Sequence, residues 1–140
     1  MVTLNGDILL AEFAMASRGR AFRWGSTDCV SLTRKALGVL HESDPWGDHI
    51  PSFKTKKSAL AAAKSVDLIT ALETAGAVEV GLGYATTGDV AVGPFTDAHG
   101  LPATSIMVPG RRVLMSTVEA GVCIVPKTAL PTGTRFFRHV

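Results

Sequence analysis

The chain has 140 residues, of which 46% are hydrophobic and 19% charged, and carries a formal charge of +2 at pH 7. This describes a single folded domain over 1–140, able to bury about two-thirds of its unfolded surface, and excludes a disordered chain. So small a charge also excludes a nucleic-acid binder whose affinity comes from neutralising phosphates.

In chain order, the first 80 residues read as helical. A first helix is expected from about Gly6 to Ser17, with Asn5 or Asp7 as its cap and Ile8, Leu9, Glu12, Phe13 and Ala16 forming its stripe. After the segment AFRWGSTD (21–28), a second helix runs from about Asp28 to Leu40 and buries Val30, Leu32, Leu37 and Leu40. Residues 41–53 hold two prolines and a glycine and read as a loop. An alanine-rich helical region follows from Lys54 to about Ala75, with a restart at Asp67 and an end at Gly76.

From Gly88 the periodicity changes to that of strands. Residues 89–93, 103–108, 112–116, 121–125 and 134–140 are short, rich in β-branched residues and separated by turn signals such as Pro109-Gly110. Helices followed by strands predict an α+β fold, the N-terminal helices packed on a C-terminal antiparallel sheet.

Cys29 is the sharpest candidate for chemistry. It falls at the predicted start of a helix, where unpaired N–H groups and the helix dipole favour a thiolate. A nucleophilic cysteine also needs a base within hydrogen-bond reach. The alternative is a small buried residue, the usual place for cysteine. With only Cys29 and Cys123, the chain is no disulfide scaffold, although one bridge remains open to it.

The run Phe22-x-Trp24-Gly25-x-x-Asp28-Cys29 resembles the nucleophile motif of the NlpC/P60 branch of papain-like cysteine peptidases, and Gly88-Asp89-Val90-Ala91-Val92 resembles that family's Gly-Asp strand. A closer resemblance is to small phage and prophage tail proteins of the same group. It implies a papain-like domain in which Cys29 is the nucleophile and Trp24, Gly25, Asp28, Gly88 and Asp89 are motif residues of structural value. By the same resemblance the general-base histidine position falls at Ala103 and the orienting polar residue near Met115, neither of which can serve.

The resemblance therefore implies a phage tail-tip structural or assembly protein with a degenerate thiol site. Such a protein would be made in the host cytoplasm and carried in the virion tail, with other tail proteins as its partners. The alternative it leaves is an active cysteine hydrolase of peptidoglycan peptide bonds, with His99 as an unconventional base for Cys29. A third reading is a cytoplasmic binding module of the same fold.

Among the remaining residues, Trp46, Phe95 and one of the adjacent Phe136 and Phe137 are candidate partner contacts. Large apolar side chains in Pro- and Gly-rich loops are not all expected to enter a core, and adjacent strand residues point to opposite faces. His139 is expected on the exposed face of the last strand. The set His41, Asp44, Asp48 and His49 matches no structural zinc spacing, so no metal is expected. No P-loop or G-x-G-x-x-G motif is present, so no nucleotide cofactor is expected. No apolar run approaches the roughly 20 residues of a membrane span, and no basic leader precedes an apolar stretch.

Overall fold

The computed structural model describes residues 4–96 and 102–139. Helix α1 (Leu4–Ser17) begins two residues before the expected start, so Asn5 and Asp7 lie inside it rather than capping it. Its buried line is Gly6, Leu10, Ala14 and Ser17, while Ile8 and Met15 are about half exposed. The expected stripe is therefore rotated. Apolar residues stand on nearly every side of this helix, and periodicity cannot choose a face where both faces are apolar.

Helix α2 (Cys29–His41) buries Val30, Leu32, Ala36 and Leu37. Glu42 ends it in the left-handed region, with φ of 57°. Helix α3 (Lys56–Ser65) starts with a capping box, in which Thr55 and Ser58 satisfy each other's backbone amides. The chain then breaks, and Asp67 caps α4 (Leu68–Thr74) by accepting from the Thr70 amide.

Six strands follow: β1 (Ala77–Val80), β2 (Val90–Thr96), β3 (Pro102–Val108), β4 (Arg112–Thr117), β5 (Gly121–Pro126) and β6 (Arg135–His139). They form one antiparallel sheet in the order β1-β6-β2-β3-β4-β5. The α+β architecture is as expected, with one added strand: β1 falls inside the stretch read as helical. Its four residues, Ala-Val-Glu-Val, gain their ladder from β6, some 60 residues later in the chain. Local periodicity carries no trace of such a partner.

Both faces of the sheet are covered. Val90, Val92, Ile106, Val108, Leu114, Val122 and Phe137 belong to the main core with the helices. Ala91, Met107, Val113 and Phe136 form a second cluster on the opposite face, under Val80, Ala85, Val125 and Leu130. Phe136 and Phe137 do point to opposite faces, and both are 1% exposed or less. The chain covers the outward one itself, so neither is a surface anchor.

The 42–50 segment also departs from expectation. Trp46 is fully buried and Ile50 nearly so. Arg34, reaching out from α2, draws the segment inward. Its guanidinium pairs with the Asp44 carboxylate and donates to the carbonyls of Gly47 and Ile50. With those carbonyls satisfied, an irregular segment can lie against the core. The Trp46 indole N–H donates to Nε2 of His139 at 3.0 Å, and His139 is itself buried rather than on an exposed face.

Candidate functional site

The chain entering α2 is held by a dense set of local bonds. The amides of Ser26, Thr27 and Asp28 all donate to the Arg23 carbonyl, at 3.0 to 3.2 Å. The Thr27 hydroxyl donates to the Ala21 carbonyl at 2.6 Å. Asp28 is 1% exposed and caps α2 with one carboxylate oxygen on the Ser31 amide at 2.9 Å. Its other oxygen accepts from the Gly25 amide at 2.7 Å. A single carboxylate thus ties the turn to the helix it starts.

Gly25 is required at its position. Its φ is +79°, and a Cβ there would stand 2.7 Å from both the Lys54 Cα and the Phe53 carbonyl oxygen. Trp24 is half-buried and packs edge-on against Phe22 and Phe53.

Cys29 is the first residue of α2 and is 8% exposed. Both cysteines are thiols. Opposite Cys29 the sheet forks. The β3–β4 ladder covers Ile106–Leu114 to Val108–Arg112, whereas β3 continues beside β2 to Pro102 and β4 continues beside β5 to Thr117. The two hairpins part beyond Ile106 and Leu114. A cleft of about 420 Å³ lies there, lined by Cys29, Phe22, Ala103, Met115, Ser116 and Leu130 among others. The buried Ser116 hydroxyl has no hydrogen-bond partner among the described residues.

The match spans residues 6–138, from the first turn of α1 to the end of β6, and the model it matches is DUF6950, a domain of unknown function. The chain belongs to this family. No curated protein matches it significantly. In this DUF6950 domain the family match takes in both hairpins of the fork and the whole turn into α2, so the cleft lies within the shared unit.

Of the other expected site residues that are described, none lines the cleft. Gly88 and Asp89 lead into β2, and the Asp89 carboxylate is 1% exposed. It accepts two bonds from Arg138 at 2.9 Å and one from the Thr86 amide at 2.9 Å, which locks the turn against β6. His99 lies outside the described residues. Phe95 is on β2, but its side chain is not among those described. His49 is exposed in the 42–50 segment, and His41 stands 6.3 Å from His139, centroid to centroid. None of these three imidazoles lines the cleft. Among the described residues, no group of three or more His, Cys, Asp or Glu is placed to hold a metal ion, and no helix is long and apolar enough to cross a membrane.

The His41–His139 pair makes stability depend on pH. Burial holds both imidazoles below the ordinary histidine value. His139 accepts the indole proton at Nε2, so it must be neutral at that nitrogen. A group with a depressed folded pKa adds stability above its unfolded pKa, and that stability is lost as pH falls. Thermal melts should therefore give a constant Tm from about pH 8 to 7 and a falling Tm below about pH 6.5. His139→Gln should reduce that slope to the share that His41 contributes, because glutamine can still accept from the indole without titrating. An unchanged slope in the variant would assign the acid sensitivity to other groups.

Proposed function

We propose that this chain is a papain-like, NlpC/P60-type domain whose thiol site is degenerate, and that it serves as a structural or assembly component of a phage tail tip. The reading draws on the resemblance of the 22–29 and 88–92 motifs to small tail proteins. One observation carries the degenerate site: the cleft beside Cys29 is lined by Ala103 and Met115, at the positions that the resemblance gives to the base and the orienting residue, on the face of Met107 and Val113, and by Thr104 and Ser116 on the face of α2, with no imidazole in its described lining. None of these four side chains can serve as a general base. Exposed apolar side chains on α1 (Ile8, Met15), on β1 (Val78) and at Leu82, Tyr84 and Val118 offer the contact surface an assembly protein needs.

A phage carrying Cys29→Ala should form normal tails and infect within about threefold of the parent, since assembly does not call on the thiol. The purified chain should release no stem-peptide fragments from peptidoglycan. Loss of infectivity on Cys29→Ala, together with peptidoglycan cleavage by the parent chain, would favour the active hydrolase. That second reading has its own support in the placing of Cys29 at a helix N-terminus beside a cleft.

The papain-like layout has a separate test. Installing an imidazole on the α2 face of β3 with Thr104→His should raise the alkylation rate of Cys29 by iodoacetamide at pH 6 by about tenfold, as a Cys–His pair forms. The measurement uses a Cys123→Ser background. No change in rate would detach the cleft from that layout.

A further inference from the structure

A second groove, of about 940 Å³, lies on the sheet face away from the helices, over Met107 and Phe136. One wall is the short 3₁₀ turn Leu82–Tyr84 with the following residues, and the opposite wall is formed by Gly110–Arg111 and the 126–134 segment. Among the described residues it shares Leu130, Pro131 and Thr134 with the thiol cleft.

The turn is pinned. Lys127 Nζ donates to the carbonyls of Leu82 at 2.6 Å and Ala85 at 3.3 Å. Arg138, itself fixed by Asp89, donates to the Tyr84 carbonyl at 3.1 Å. On this rigid backbone Leu82 is 64% exposed and Tyr84 is 82% exposed. Large side chains held out on a fixed frame lose little entropy on binding, which is the property of an interface anchor.

The charge of the lining is one-sided. Arg111 and Lys127 line the groove, and the described lining contains no carboxylate. Lys127 is committed to the two carbonyls and to the Phe136 ring, 5.5 Å away. Arg111 is exposed, and the described ion pairs involve Arg34, Arg135 and Arg138 instead. Most of the remaining polar lining is threonine: Thr86, Thr87, Thr128, Thr132 and Thr134.

We propose that this groove docks an acidic, extended polypeptide segment of a partner protein, with Leu82 and Tyr84 as apolar anchors and Arg111 as the carboxylate receptor. Cations without lining carboxylates select an anion. The exposed leucine and the apolar floor suit amino-acid side chains better than sugar rings. The proposal deepens the assembly reading above by naming the partner's chemistry, and it does not depend on the phage setting.

The test is a selection of displayed random dodecapeptides on the full chain, with counter-selection on the Tyr84→Ser, Arg111→Asn double variant. Asparagine suits the φ of +56° at position 111. Circular dichroism confirms that each variant is folded, and Arg111→Gly replaces any that is not. Enriched peptides should carry net negative charge and apolar anchors. Each single variant should weaken their binding by about tenfold, and affinity should fall as salt rises. Three results would overturn the proposal: no enrichment over the double variant, enrichment of neutral or basic peptides, or equal displacement of the selected peptides by heparin, which would mark a general polyanion surface. Failure here leaves the tail reading to the Cys29→Ala phage experiment, which does not involve this groove.

Discussion

Trp46→Ala should destabilise the domain by about 3–5 kcal/mol, a large share of the 5–15 kcal/mol that holds a typical domain folded. The side chain is fully buried, so its removal costs the transfer of a large apolar group and leaves a cavity that the 42–50 segment can only partly close. The indole also supplies the proton that His139 accepts. Trp46→Phe keeps most of the volume but removes the donor and leaves a smaller gap, so it should cost about 1–3 kcal/mol. Urea denaturation at pH 7.5, with both histidines neutral, measures the two losses. If Trp46→Ala cost less than about 1 kcal/mol, the segment would not be seated on the core as described.

The misplacing of Trp46 has a definite cause. Residues 41–53 have a loop's composition, and in isolation a loop keeps its large side chains outside. What reverses this is Arg34, ten residues before Asp44, which satisfies the segment's carbonyls and one carboxylate together. An arginine on a helix gives no sign in sequence of the carbonyls it will meet. The same holds for β1, whose ladder partner is β6, and for Phe136, whose cover comes from Val80, Ala85, Val125 and Leu130 along the chain. The elements that local pattern did place, α2, the α3–α4 region with its restart at Asp67, and strands β2 to β6, are those whose apolar spacing, caps and flanking turn residues agree. Helix α1 was recognised but not oriented, because its apolar residues surround it.

At the site, the local part was legible and the assembled part was not. Asp28 before Cys29 implied a cap, and the cap is present with a second bond to Gly25. Asp89 reads as structural from its place before a strand, but its partner Arg138, 49 residues on, is brought to it only by the fold. The fork between β3 and β4 has no signature in either strand, since each continues regularly beside its other neighbour. The groove beside Tyr84 leaves no sign in the sequence either. A lone tyrosine among glycines reads as an ordinary turn, and only the two cations that pin its backbone distinguish it.

Gly25→Ala is the second change expected to have a large effect, and Gly19→Ala is its control. Both glycines have positive φ, +79° at Gly25 and +85° at Gly19, so both variants carry the backbone penalty of about 1–2 kcal/mol. They differ in what the new methyl meets. At Gly19 nothing lies within 4 Å, whereas at Gly25 the methyl would stand 2.7 Å from the Lys54 Cα and the Phe53 carbonyl oxygen. Those are backbone atoms, which cannot swing aside as a side chain would. Overpacking should add about 1–3 kcal/mol, for a total of about 2–5 kcal/mol at Gly25 against 1–2 kcal/mol at Gly19. The displaced turn also carries the Gly25–Asp28 bond, so the start of α2 should loosen. In a Cys123→Ser background, iodoacetamide should then label Cys29 several-fold faster in Gly25→Ala than in the parent, with Gly19→Ala unchanged. Equal costs for the two glycines would mean that the turn is free to move away from residues 53–54, and that the W-G-x-x-D-C segment holds Cys29 less firmly than its hydrogen bonds imply.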